Sequence, residues 1–166
     1  MNFEKLLKDK KIQVLKEKSL PDFEKCESDL KVAKNNFSNK DFDWAMNIAH
    51  NSVLLASREI MFYLGFRPIG KEHHKNVFGF LRELKFDKDL VDYFDKIRVK
   101  RNKVVYGELE EINEGLAEET IEKAKDFVHK IRTFVQEIRT DEQTREDENE
   151  EGREKSKDNK EKDKDE

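Results

Sequence analysis

One cysteine, two prolines, six glycines and one tryptophan are spread over 166 residues. A single thiol, Cys26, leaves no partner for an internal disulfide and no thiolate set for zinc. It fits a reducing compartment, and the expected location is the cytoplasm. So little Gly and Pro leaves too few turns for an all-β protein. No apolar run approaches the ~20 residues that cross a bilayer. The start, MNFEKLLKDKKIQ, has neither an apolar core nor a small-residue cleavage site, so no secretory leader is expected. A glycine-rich phosphate loop, a G-x-S-x-G turn and an H-E-x-x-H helix are all missing, and neither a cofactor nor a metal is expected.

What the chain has in quantity is charge: 43 % of its residues are charged against 35 % hydrophobic. The two kinds are segregated. From Asp141 to Glu166 there are 13 acidic and 7 basic residues and no hydrophobic one. Such a stretch buries nothing, and it is expected to be a disordered tail or at most a fraying extension of the last helix. Residues 1–140 hold 27 basic and 25 acidic residues together with all the hydrophobic ones, enough for one core. The expected organisation is an N-terminal helical extension over 1–18, a helical bundle over 19–140 and a charged tail over 141–166.

Helical periodicity runs through the body. Phe3, Leu6, Leu7, Val14 and Leu15 suggest a first helix ending near Lys18. A second has Pro21 in its first turn, followed by Phe23, Cys26, Leu30, Ala33 and Phe37. A third, capped by Ser38 or Asn39, runs to about Gly65, and Pro68 and Gly70 close the loop after it. A fourth spans His74 to Leu84, and a fifth runs from Asp87 to Gly107. The sixth, Leu116 to Arg139, carries Ile121, Ala124, Val128, Ile131, Val135 and Ile138. Short connections between such helices favour antiparallel neighbours, so the fold class is all-α, an up-and-down bundle.

Two helices carry charge where apolar residues belong. On the fifth, with Arg98 set at zero, the apolar residues fill an arc from about 240° to about 20°. Arg101 falls at about 300°, inside it, and Arg98 near its edge. On the third, Glu59 falls within the arc assigned to Trp44, Ile48, Leu55 and Phe62. A buried charge must be paired or line a wet cleft. The simplest pairing sets Glu59 against Arg98 or Arg101, orienting the guanidinium. Five basic residues lie between Lys96 and Lys103, with Tyr93 and Tyr106 near for stacking, and Arg suits phosphate because its planar donors bind bidentately. The bland alternative is an ion pair that only sets helix register. His73 and His74 read as capping residues of the fourth helix, His50 and His129 as surface histidines, and Cys26 as a small core residue.

The long third helix (DFDWAMNIAHNSVLLASREIMFYLGF), the loop with Gly70 and His74, and above all KIRVKRNKVVYGE resemble HEPN-domain proteins over roughly residues 20–137. The resemblance implies an up-and-down bundle of four to five helices that dimerises, with the motif of each chain facing a shared cleft. It implies metal-independent endoribonuclease activity in active members, often toxins beside a minimal nucleotidyltransferase antitoxin. Their motif is Arg, a polar residue, then a His. Arg101 matches the first and Asn102 the second, and Tyr106 stands where the His falls. With a pKa near 10, tyrosine is a poor base, though it donates hydrogen bonds and stacks. The expected function is an RNA- or nucleotide-binding cleft of Arg98, Arg101, Asn102, Lys103 and Tyr106, with Arg101 and Tyr106 acting if RNA is cut. The alternatives are an active metal-independent endoribonuclease and a non-enzymatic, partner-binding helical dimer.

Overall fold

The computed structural model describes the backbone of residues 3–105 and 112–162. Three helix ends in it are closed by a lysine in the left-handed region: Lys10 at φ 52°, Lys40 at 65° and Lys85 at 58°. They follow α1 (Glu4–Lys8), α2 (Glu24–Ser38) and α4 (His73–Glu83). Each stop carries the same pair of backbone hydrogen bonds. After α4, Lys85 N–H donates to Arg82 O and Phe86 N–H to Leu81 O. After α2, Lys40 N–H reaches Phe37 O and Asp41 N–H reaches Asn36 O. These satisfy the last carbonyls of the helix in the way a glycine usually permits. A side chain there costs about 1 kcal/mol, so Lys40→Gly and Lys85→Gly are each expected to raise the unfolding free energy by about 0.5–1 kcal/mol. Urea denaturation checks this, and a loss at either site would contradict it.

The stop at Lys10 changes the expected first helix. The α1 helix is five residues long. The chain then extends as β1 (Ile12–Val14), which pairs antiparallel with β2 (Phe66–Pro68) in the register Ile12↔Pro68 and Val14↔Phe66. Val14 and Leu15 are therefore off the helix. The reason is local: Lys11-Ile12-Gln13-Val14 alternates polar and β-branched residues with the period of a strand. The ribbon is also tied to the core by Phe3, whose ring stacks on Phe80 at 4.4 Å and meets Phe66 at 5.0 Å. Pro21 lies just ahead of α2 rather than in its first turn.

The main helices are α2, α3 (Phe42–Tyr63), α4, α5 (Lys88–Val105) and α6 (Glu114–Lys162). Side-chain contacts give their directions. Along α2 and α3, Asp22 meets Glu59, Cys26 meets Ser52 and Asp29 meets Asn51, so the two run antiparallel. Along α3 and α5, Asn47 meets Arg101 while His50 meets Phe94. Along α5 and α6, Tyr93 meets Thr120 while the Asp87 just ahead of α5 meets Lys130. This is the expected up-and-down all-α arrangement. The chain divides into Met1–Arg132 and Thr133–Glu166. In the second part the backbone continues α6 to Lys162, the helical extension that was one of the two expectations for this stretch. Glu, Lys, Arg and Gln are good helix formers, and no proline interrupts them.

The core of the first part is aromatic. Phe78, Phe80, Phe94 and Phe127 are each 0 % exposed. Phe127 meets Phe86 and Phe94 at 5.2 and 5.5 Å. The predicted stripes of α5 and α6 are buried: Leu90, Val91, Phe94 and Ile97 on one, Ile121, Ala124, Val128 and Ile131 on the other. Cys26 is buried as expected, and burial, with Glu59 adding to it, pushes its thiol up to about 12. The stripe assigned to α3 is rotated. Trp44 is 65 % exposed and Ile48, Leu55 and Phe62 are half-buried, while Met46, Ala49, Val53, Leu54, Ile60 and Met61 line the core. Among the described residues no helix is long and apolar enough to cross a membrane.

Candidate functional site

Arg101 is half-buried near the C-terminal end of α5, against the middle of α3. Its Nε donates to Asn47 Oδ1 at 2.6 Å and one Nη to His50 Nδ1 at 2.7 Å. Asn47 and His50 are three apart on α3, so one helical face supplies both acceptors. His50 was expected at the surface and is instead 0 % exposed, packed between Phe78 and Phe94. Its other nitrogen, Nε2, lies 3.2 Å from the carbonyl oxygen of Phe94.

The chemistry of these neighbours fixes the tautomer. A carbonyl only accepts and a guanidinium only donates. Nε2 therefore carries the proton and gives it to Phe94 O, and Nδ1 is bare and accepts from Arg101. A protonated ring would turn an N–H toward Arg101. Burial, and then the Arg101 charge, lower the His50 pKa to about 3 against the pull of the Phe94 carbonyl. His50 is a neutral strut at physiological pH, and being shut from solvent it exchanges no proton there.

The Arg101 charge itself has no carboxylate partner among the described residues. Burial lowers its pKa, and both protein acceptors are neutral. Arg98, one turn earlier, is balanced: its Nε donates to Asp95 at 2.8 Å, and the same Asp95 accepts from Arg82 of α4. Burial works to raise the Asp95 pKa, but the hydrogen bonds from Arg98 and Arg82 outweigh it and hold the carboxyl below its usual range. Two neighbouring arginines thus differ in kind. One is an internal ion pair, and the other is a cation with no carboxylate against it among the described residues.

Glu59 does not take the orienting role expected of it. Its Oε2 accepts from the backbone N–H of Asp22 at 2.9 Å, just ahead of α2. The physical reason is the rotation of α3. The face carrying Glu59 turns toward α2, and the face turned to α5 carries Asn47 and His50. Asn102 is exposed. Lys103 belongs to α5 by its backbone, its side chain lying outside the described residues, and Tyr106 lies outside them altogether. Asn47 and His50 are the residues that sequence reasoning missed. The usable signal was a polar pair three residues apart on a helix, facing an arginine that needed acceptors.

The α4 start stands near this group. His74 is half-buried, and its ring meets His73 edge-on at 4.2 Å. Burial, then His73, Arg58, Arg101 and Arg98 in that order, lower its pKa to about 4. No group of three or more metal-ligating side chains occurs among the described residues. A separate cleft of about 420 Å³ at the α4–α5 corner, lined by Arg82, Lys85, Phe86, Asp87, Lys88 and Asp92, holds none of the candidates.

The family model of the HEPN domain matches residues 23–138, most of the chain. The chain belongs to the HEPN domain family. No curated protein matches it. The matched span takes in α2 to α5 and the first part of α6, so the arginine held by Asn47 and His50 lies within the HEPN domain, while α1 and β1 precede it.

Proposed function

We propose that this HEPN domain binds RNA or a nucleotide through the cleft at Arg101, as a homodimer, with a minimal nucleotidyltransferase as its protein partner. The observation that carries the binding role is the uncompensated Arg101 charge. A guanidinium drawn out of water, tied through two of its nitrogens to neutral acceptors and meeting no carboxylate among the described residues, is costly unless an anion completes it. A phosphodiester does so, with paired oxygens that match the planar donors. Exposed Asn102, the next residue on α5, supplies a neutral donor beside it. The dimer and the nucleotidyltransferase are supported by family membership. Where RNA is cut, the chemistry needs no metal: Arg101 would steady the charge on phosphorus and Tyr106 would donate a hydrogen bond.

Binding of a fluorescent single-stranded RNA at two salt concentrations tests this. Wild type is expected to bind with an affinity that falls steeply as salt rises, since phosphate contacts release counterions. Arg101→Ala is expected to lose at least about tenfold in affinity, the weight of one charge-assisted contact. Equal affinity of the two proteins, with both folded, would leave Arg101 as a packing residue.

A further inference from the structure

The Arg101 guanidinium has one nitrogen that the protein does not use. Nε is taken by Asn47 and one Nη by His50. The other Nη has no acceptor among the described residues, and no buried side-chain nitrogen there goes unpaired, so it meets solvent. What stands beside it is set by α3. Trp44 precedes Asn47 by three residues and Ile48 by four, and side chains at those spacings are neighbours, about 5–6 Å apart at Cβ. The residue that holds Arg101 at 2.6 Å therefore has the Trp44 indole next to it, one turn toward the helix N-terminus.

That indole is 65 % exposed, the one aromatic ring among the large apolar side chains that the described residues leave exposed. It forms part of the wall of a cavity of about 280 Å³, with Phe42 and Ile112, and with Lys40, Asp41 and Asp43 as its polar lining. Asp43 is engaged: its Oδ1 accepts from the Ile112 N–H at 3.1 Å. Asp41 is exposed at the rim. Of the rings that spacing offered for stacking, Tyr93 is occupied. It is half-buried, its hydroxyl pairs with Thr120 at 3.0 Å, and Lys123 Nζ covers its ring at 5.0 Å. Tyr106 lies outside the described residues.

We propose that Trp44 is the base-binding residue of the Arg101 site, its exposed indole stacking on a nucleobase while Arg101 holds the adjoining phosphate. This rests on the reading of the Arg101 cleft as an RNA site and adds to it the residue that meets the base. Charge divides the two positions. The guanidinium draws the phosphate. Asp41 and Asp43 repel one, but they do not repel a neutral base, and the free Asp41 carboxylate accepts from a base amino group. A base gains from an aromatic face whatever its identity, so the contact tolerates any sequence. Ligand pockets usually begin at about 300 Å³, so this smaller space suits one base laid against the indole rather than an enclosed nucleotide. A second copy of the chain is the other occupant that an exposed indole would suit, and the test separates the two.

Trp44 is the single tryptophan, so the emission of the full-length protein reports on it alone. The probe is a 2′-O-methyl hexaadenylate, whose blocked 2′-oxygen prevents cleavage. Emission is expected to be quenched along the same isotherm as binding followed by the anisotropy of a labelled copy. An abasic hexamer with the same backbone should bind about tenfold more weakly and leave the emission unchanged. Trp44→Ala should lose about tenfold in affinity for hexaadenylate and nothing for the abasic hexamer, and Trp44→Phe should recover most of the loss. The slope of log affinity against log salt should stay the same in Trp44→Ala and fall by about one in Arg101→Ala, because only the second loses a phosphate contact. Hexaadenylate that binds with the emission unchanged, or that binds Trp44→Ala as well as wild type, overturns the proposal and leaves the Arg101 reading intact. So does a Trp44→Ala chain that sediments as a smaller species while keeping its RNA affinity, which would give the indole to a second copy. Failure of the wild type to bind even at low salt overturns the Arg101 reading, and the base-binding role with it.

Discussion

His50→Ala is expected to lower the unfolding free energy by about 4 kcal/mol or more and to weaken RNA binding as much as loss of Arg101 itself. Two separate costs add. Removing a ring that is 0 % exposed, between Phe78 and Phe94, leaves a cavity of the kind that costs about 2–5 kcal/mol for a large buried side chain. The same change strips Arg101 of one acceptor and leaves the Phe94 carbonyl without its donor, at about 1–3 kcal/mol for each buried polar group that stays unpaired. His50→Asn separates the two. Its side-chain oxygen falls near the place of Nδ1 and can still accept from Arg101, while the donor to Phe94 and part of the ring volume are lost. His50→Asn is therefore expected to remain destabilised but to recover much of the RNA affinity. Urea denaturation and RNA binding on the same samples make the comparison. Loss of affinity in His50→Ala with full retention of stability, or the reverse, would show that ring and guanidinium are not one unit.

The sequence carried the helices well where apolar spacing is regular, and poorly where a helix must stop. The α5 and α6 stripes could be placed to the residue because Leu90, Phe94 and Ile97, or Ile121, Ala124, Val128 and Ile131, recur every three to four positions between charged residues. The stop of α1 was invisible for a physical reason. Lys10 does what a glycine normally does, and a lysine in the left-handed region sends no compositional signal. The strand that follows is three residues long, too short for alternation to compete with a helical reading. The α3 error has a different origin. That helix is apolar over most of its circumference, so the arc through Trp44, Leu55 and Phe62 looked as good as the true one through Met46, Val53 and Ile60. A rotation of the arc moved Glu59 onto the α5 side and His50 onto the surface. Arg101 is half-buried and its guanidinium meets Asn47 and His50. What the wrong rotation hid was the identity of the groups that hold it.

The second large effect is a loss of stability in mild acid, well above the range of carboxylates. His50 and His74 have folded pKa values lowered to about 3 and about 4, against an ordinary 6.5 in an unfolded chain. A base whose folded pKa is depressed favours the unfolded state when protons are plentiful. The stabilisation from its neutral form is complete above 6.5 and is lost as pH falls from 6.5 toward the folded pKa. Each histidine can cost up to about 1.4 kcal/mol for each pH unit in that window. Between pH 7.5 and pH 4.5 the pair is expected to remove about 4–5 kcal/mol, discounted for the partial exposure of His74, and that is comparable with the whole stability of many domains. Asp87 and Asp95 act lower down. Their folded pKa values lie below the ordinary 3.8, so their contribution is intact above that value and is lost only beneath it. The two regimes are therefore separable. Unfolding free energies from urea melts at pH 7.5, 5.5 and 4.5 should fall steadily, and about half of the fall should vanish in His74→Gln, which keeps the buried strut and removes the half-exposed ring. A wild-type protein equally stable at pH 7.5 and 4.5 would mean that His50 is reached by water and can charge in place, and the neutral-strut account of Arg101 would fail with it.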